Sequence, residues 1–271
     1  MQTQSKQTDP MQIQRMSAPL GGIVSNLDVR AVTAEQWQTL NAWFCEYHVL
    51  VFPGQQLSPE DQVAFAARWG ELIPFPYGGL PDQPNIIALK NRGKSKDVNQ
   101  HWHSDMTYNT QPPKLTMLYA HEAPVLGGET AFSNQILAYA DLSDGFRSVL
   151  DQLQAVHSAE GLAALYGQDV QAAPRALHPV VRTHDESGEK ALYVCKAFTT
   201  RIEGWTAAES KSLLDYLFNH SARPEYQARH QWRPGDLVMW DNRVLLHYAV
   251  HDHADEPRLI HRCQVQGPVP V

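Results

Sequence analysis

The chain has 271 residues, 43% hydrophobic and 19% charged, which supplies enough apolar material for one large domain or two small ones. A formal charge of −7 and a pI near 6.0 exclude nucleic acid or an anionic membrane as the main partner. The three cysteines lie far apart and form no C-x-x-C pair, which excludes a disulfide framework, and no apolar run approaches the ~18 residues of a membrane span.

Residues 1–15 are Gln-rich, lack a leader-like apolar stretch, and read as a disordered tail ahead of a single domain over 16–271 of a cytoplasmic protein. Thr33 and Gln36 make a capping box before apolar residues at helical spacing in "TAEQWQTLNAWFCEYH". "VLVFPG" (49–54) reads as a buried strand closed by a turn, and Ser58 with Pro59 opens a second helix running to about Gly70. Between Asn85 and Asn134 the texture predicts strands in "NIIAL", "HWHSDMTY", "KLTMLYAHEA" and "ETAFSN". A helical patch follows at 134–153, then a hairpin in "PVVRTHDESGEKALYVC" around its "ESGE" loop. Thr206 and Glu209 cap a last helix, and two final strands are expected around 230–241 and 257–266. The order predicts an α+β, mainly β protein built on an antiparallel sandwich or barrel.

The chemistry concentrates in "HWHSD" (101–105). On an extended strand His101, His103 and Asp105 would share a face, since side chains alternate. One parse takes all three, as in a binuclear zinc hydrolase. That motif wants a histidine directly after the aspartate, where Met106 stands. The other parse takes only His103 and Asp105, two thirds of a two-histidine, one-carboxylate iron(II) site that leaves coordination positions open. His247 is the candidate third ligand by position. Arg258 and Arg262, four apart, would lie on one strand face with Ile260. An arginine fork suits the distal carboxylate of 2-oxoglutarate.

"WHSDMTY", "PVLGGETAFSN", "HPVVRTHDESGEKALYV", "FTTRI", "WDNRVLLHYA" and "RLIHR", in this order, resemble the taurine dioxygenase-like (TauD/TfdA) iron(II)/2-oxoglutarate dioxygenases. The resemblance runs from about Met16 to Gly267. It implies a double-stranded β-helix, a cupin-like jelly-roll with flanking helices. It implies His103, Asp105 and His247 as iron ligands, Thr130 and Arg258 on the distal carboxylate of 2-oxoglutarate, and Arg262 on an anionic group near the metal. Trp240 and Asp241 would support the loop presenting His247. The implied reaction is hydroxylation of a C–H bond in a small anionic substrate (carboxylate, sulfonate or sulfate ester), with dioxygen as cosubstrate and 2-oxoglutarate decarboxylated to succinate and CO2. The same scaffold serves desaturation, cyclisation or, without turnover, ligand binding. Relatives assemble as dimers or tetramers.

Departures bear on the substrate. After "GEL", "IPFPYGG" places Phe75 or a neighbour where the taurine enzymes carry a sulfonate-binding histidine, which argues against taurine itself. Asn99, Phe75, Tyr77, Lys196 and Phe198 are the candidate substrate contacts. His101 and His251 have no assigned role.

Overall fold

Alternation along neighbouring strands builds two cores on one sheet. In Leu237–Asp241, Leu237 and Met239 enter a core shared with the N-terminal helices, whereas Val238 and Trp240 enter a second core on the opposite face. Val49–Phe52 splits in the same way, Leu50 and Phe52 to one side and Val49 and Val51 to the other. These residues are almost fully buried, each worth roughly 1.5–3 kcal/mol of hydrophobic stabilisation.

A computed structural model describes residues 9–74, 78–90, 101–253 and 256–271. Its eight-stranded sheet runs in the order Gln12–Arg15, Gly22–Ser25, Val49–Phe52, Leu237–Asp241, Pro113–Glu122, Leu259–Gln266, Gln83–Lys90 and Gly79–Leu80. All pairings in it are antiparallel except that of Gly22–Ser25 with Val49–Phe52. A three-stranded sheet, Gln227–His230, Thr130–Asn134 and Leu245–Ala249, faces it across the second core, to which it contributes Ala228, Phe132 and Leu245. Two antiparallel sheets closing on one apolar layer make the expected jelly-roll. Helices Ala34–Tyr47 and Pro59–Ala66 cover the outer face of the large sheet with Leu40, Phe44 and Phe65, and Trp69 follows on the 3-10 turn. Among the described residues no helix is long and apolar enough to cross a membrane.

The three predicted helix starts are present, because capping is local: Thr33/Gln36, Ser58/Asp61 and Thr206/Glu209 each form a complete capping box. The patch at 134–153 divides into Gln135–Ala140 and Asp144–Leu150, capped separately by Asn134 and Ser143. Three expectations are corrected. Gln12–Arg15, assigned to the tail, form a largely exposed strand paired with Gly22–Ser25, a backbone pairing that composition could not reveal. The strand expected over 230–241 is two strands in different sheets. Pro234 lacks an N–H, Gly235 takes a φ of 86°, and the chain turns from one sheet to the other between them. The strand expected over 101–108 is absent: only His103 makes a bridge, and from Asp105 the chain turns, with Met106 at a φ of 48°.

The turn between Leu237–Asp241 and Leu245–Ala249 is held by buried charge. Arg243 donates Nε to Asp241 Oδ1 at 2.8 Å and Nη2 to Oδ2 at 2.6 Å, and also reaches Asp185 at 3.0 Å and Glu186 on the 181–192 hairpin. His184 Nε2 donates to Asp241 Oδ2 at 3.1 Å, because its Nδ1 accepts from the Ser187 N–H. Burial alone would push the Asp241 carboxyl up, but the adjoining Arg243 guanidinium outweighs it and holds the group far below the usual carboxylate range. A depressed folded-state pKa stabilises the protein above the unfolded value and ceases to do so as pH falls. Asp241→Asn is therefore expected to cost about 3 kcal/mol at pH 7, with the difference from wild type shrinking below about pH 4. Thermal unfolding of both proteins from pH 3 to 7 measures this.

Candidate active site

One antiparallel bridge frames the site. His103 N–H donates to the His247 carbonyl at 3.0 Å and His247 N–H to the His103 carbonyl at 2.7 Å. The two rings lie side by side, with centroids 4.1 Å apart. His247 stands in Leu245–Ala249, opposite Phe132, so one ligand candidate sits on a rigid strand and the other is pinned to it. His103 Nδ1 donates to the His101 carbonyl at 2.7 Å; a carbonyl only accepts, so that nitrogen carries the proton and Nε2 presents its lone pair. Asp105 Oδ1 completes the group at 3.8 Å from His103 Nε2 and 3.6 Å from His247 Nε2. The ligand atoms of these three buried residues lie within 4.8 Å of one another.

The electrostatics suit a cation. Burial, with the neighbouring His103, pushes His247 down to about 3, so its imidazole is neutral at ordinary pH. Burial pushes the Asp105 carboxyl up, but His247, Arg262 and His103 outweigh it and hold the group below its ordinary value. Neutral imidazoles and an ionised carboxylate are the forms that bind a transition metal, so the residues present fit one such ion.

Three further residues have the chemistry to receive an anion, and of these Arg262 acts electrostatically on the cluster. The Arg258 Nε is buried with no hydrogen-bond partner among the described residues, and burial alone lowers its pKa to about 10. A half-buried cation still charged at neutral pH, with no counter-ion among the described residues, is suited to an anion, because leaving a buried guanidinium nitrogen unpaired is costly. Thr130, buried on the small sheet, accepts from Trp232 Nε1 at 3.0 Å. An indole N–H only donates, so the threonine's own hydrogen is left for another acceptor. Arg262 lies close enough to Asp105 and His247 to shift both. One wall is apolar: Phe198 is 6.1 Å from the His103 ring and 5.1 Å from Tyr108, and packs with Leu246, Trp102 and Leu162.

The structure thus brings His103, Asp105 and His247 together and puts Phe198 beside them. His101 is exposed, because the missing strand removes the alternation that would have aimed it inward; it serves through its backbone carbonyl. Lys196 is exposed, as is His251, whose ring lies 6.2 Å from that of His253. Phe75, Tyr77 and Asn99 fall outside the described residues. Sequence reasoning missed Thr116, Asn242, Gln264 and Trp232. Their signal was a polar or hydrogen-bonding side chain at inward positions of otherwise apolar strands and turns.

Comparison with known proteins agrees with this geometry. Residues 12–264 match the family described as taurine catabolism dioxygenase TauD, TfdA family. An alpha-ketoglutarate-dependent sulfate ester dioxygenase of Pseudomonas putida is 33% identical, covering 95% of this chain and 88% of that protein. An (S)-phenoxypropionate/alpha-ketoglutarate-dioxygenase of Sphingobium herbicidovorans is 31% identical, covering 93% of each. The crystal structure of a taurine dioxygenase from Burkholderia xenovorans superposes with a TM-score of 0.86 at 31% identity, covering 96% of this chain and 92% of that one. The fold and site define an oxidoreductase of the alpha-ketoglutarate-dependent (2-oxoglutarate-dependent) dioxygenase class. The chain belongs to the TauD, TfdA family.

Because His101 contributes a carbonyl and not its ring, His101→Ala is expected to leave metal affinity within about threefold of wild type, whereas His103→Ala lowers it by more than about tenfold. Calorimetric titration with a divalent transition metal under anaerobic conditions distinguishes the two. Equal losses would contradict the parsing.

Proposed function

We propose that this chain is an iron(II)- and 2-oxoglutarate-dependent dioxygenase that hydroxylates a small carboxylate or sulfate ester carrying an alkyl or aryl body. The observation that carries the reading is the buried His103–Asp105–His247 cluster, together with Arg258, half-buried with its Nε buried and without a hydrogen-bond partner among the described residues. When bound there, iron(II) with 2-oxoglutarate supplies oxidative chemistry, in which dioxygen is consumed, 2-oxoglutarate is converted to succinate and CO2, and a substrate C–H bond is oxidised.

In this reading His103 and His247 bind the metal through neutral Nε2 atoms, and Asp105 cancels part of its charge. Arg258 pairs with the distal carboxylate of 2-oxoglutarate through charge-assisted hydrogen bonds, and Thr130 adds the hydroxyl donor that Trp232 leaves free. Arg262 holds an anionic oxygen near the metal, on cosubstrate or substrate. Phe198, Tyr108, Trp102 and Leu246 exclude water and receive the apolar body of the substrate. The relatives' sulfate ester and phenoxypropionate activities support that pairing of an anionic group with an alkyl or aryl body. Lys196 is too exposed to be assigned to the substrate. We also assign the protein to the cytoplasm and to a dimer or tetramer, which sedimentation tests.

The test is succinate formation by the pure protein with iron(II), 2-oxoglutarate and dioxygen over a panel of sulfate esters, aryloxy acids, other carboxylates and sulfonates. At least one panel member is expected to raise succinate well above the substrate-free rate. Arg258→Ala is expected to raise the KM for 2-oxoglutarate by more than about tenfold, since hydrogen bonds to charged groups contribute roughly 1.5–3 kcal/mol each. No succinate with any panel member would sink the reading.

A further inference from the structure

Behind the ligand triad lies a hydrogen-bond relay whose direction is fixed by chemistry. Trp240, Thr116 and Gln264 form a row across three adjacent strands, with Thr116 opposite both Trp240 and Gln264. Trp240 Nε1 donates to Asn242 Oδ1 at 2.9 Å, and because an indole N–H only donates, this settles which end of the Asn242 amide faces onward. Asn242 Nδ2 donates to Thr116 Oγ1 at 2.9 Å, and Gln264 Nε2 donates to the same oxygen at 3.0 Å. A hydroxyl has two acceptor sites and one hydrogen. With both sites filled, the Thr116 hydrogen has one destination, Asp105 Oδ2, at 2.6 Å. The second Gln264 Nε2 hydrogen reaches the same carboxylate oxygen at 3.0 Å.

Every bond in the relay points at Asp105 Oδ2, and Thr116, Asn242 and Gln264 are all buried. Successive donors polarise one another in such a chain, and its last bond, which ends on a carboxylate, is also its shortest. Oδ2 is thereby occupied by two donors, while Oδ1 alone faces the Nε2 atoms of His103 and His247. Turning the carboxylate to present both oxygens to one ion would break two buried hydrogen bonds.

We propose that Thr116, aligned by Asn242 and Gln264, is a positioning residue that keeps Asp105 a one-oxygen ligand and so preserves a metal coordination position for the cosubstrate. The proposal rests on the metal and 2-oxoglutarate reading given above. It assigns Asn242 and Gln264 to the same task. Without the Thr116 hydroxyl the carboxylate is free to chelate with both oxygens, which retains the metal but competes with 2-oxoglutarate.

The test uses the full-length protein, cobalt(II) as a redox-inert probe and anaerobic titration, first with the metal and then with 2-oxoglutarate. In Thr116→Val, isosteric but without a hydroxyl, 2-oxoglutarate affinity is expected to fall by about tenfold while cobalt(II) affinity stays within about threefold. Thr116→Ser, which restores the hydroxyl, is expected to recover 2-oxoglutarate binding. Unchanged 2-oxoglutarate affinity in Thr116→Val overturns the proposal. So does a parallel loss of cobalt(II) affinity and apo-protein melting temperature, the mark of a merely structural role. Should the valine variant not fold, Gln264→Met removes one of the two donors to Oδ2 and is judged by the same split. If wild type itself binds cobalt(II) but no 2-oxoglutarate, the functional reading fails, and the proposal with it. If wild type binds both and the variants match it, the proposal alone fails.

Discussion

The paired backbone hydrogen bonds between His103 and His247 are the constraint on which the rest of the site depends. Residues 101–110 have no other strand pairing, so this bridge is what sets the His103 backbone against the strand bearing His247, while side-chain hydrogen bonds hold the residues that follow. The bridge places two imidazoles at contact distance, and the Asp105 carboxylate, two residues on, meets their Nε2 atoms at 3.8 and 3.6 Å. A second tie, from Ser104 Oγ to the Asn242 carbonyl at 2.6 Å, fastens the same segment from the residue between the two ligands. Both ties end on one stretch of chain, the turn after Leu237–Asp241 and the strand that follows it. That stretch is in turn held by the Asp241–Arg243 ion pair. The geometry of the candidate ligands is therefore held by a neighbouring salt-bridged turn as well as by their own segment.

The sandwich divides its labour along its length. Where its strands alternate apolar residues without interruption, as in Leu237–Asp241 and Val49–Phe52, the interior is a hydrophobic layer. Where inward positions turn polar, at Thr116 and Gln264, the same geometry becomes a site. Polar groups in such a place cost stability unless they satisfy one another, and the Trp240–Asn242–Thr116–Asp105 chain does so link by link. Arg258 is the informative contrast. Its Nε is buried with no hydrogen-bond partner among the described residues, which is why it is proposed to receive an anion from outside the chain.

The elements legible in the sequence were those whose causes are local. Capping boxes announced two helix starts and the Ser58–Pro59 cap a third, and the motif order pointed to the jelly-roll and to His103, Asp105, His247, Arg258 and Arg262. The errors arose where local pattern has two outcomes. "HWHSDMTY" alternates well enough for a strand, yet the chain has no partner strand there beyond one bridge, so alternation decided nothing and His101 turned outward. Residues 230–241 read as one strand, but at Pro234 and Gly235 the chain turns and the two halves join different sheets. Gln12–Arg15 looked disordered because their composition is polar, and they are ordered by pairing with Gly22–Ser25 rather than by burial of their side chains.

The amino-acid sequence by itself determined which residue types are present and how they are spaced: two histidines and a carboxylate that suit a metal, two arginines that suit anions, and strand-like stretches that predict an antiparallel sandwich or barrel. Only the tertiary structure decided which way each group faces. Strand register placed Gln264 opposite Thr116, and the closing of the two sheets placed both behind Asp105. The difference is physical. Ligand identity is a property of single side chains, whereas the direction of a buried hydrogen bond is set by every donor and acceptor packed around it.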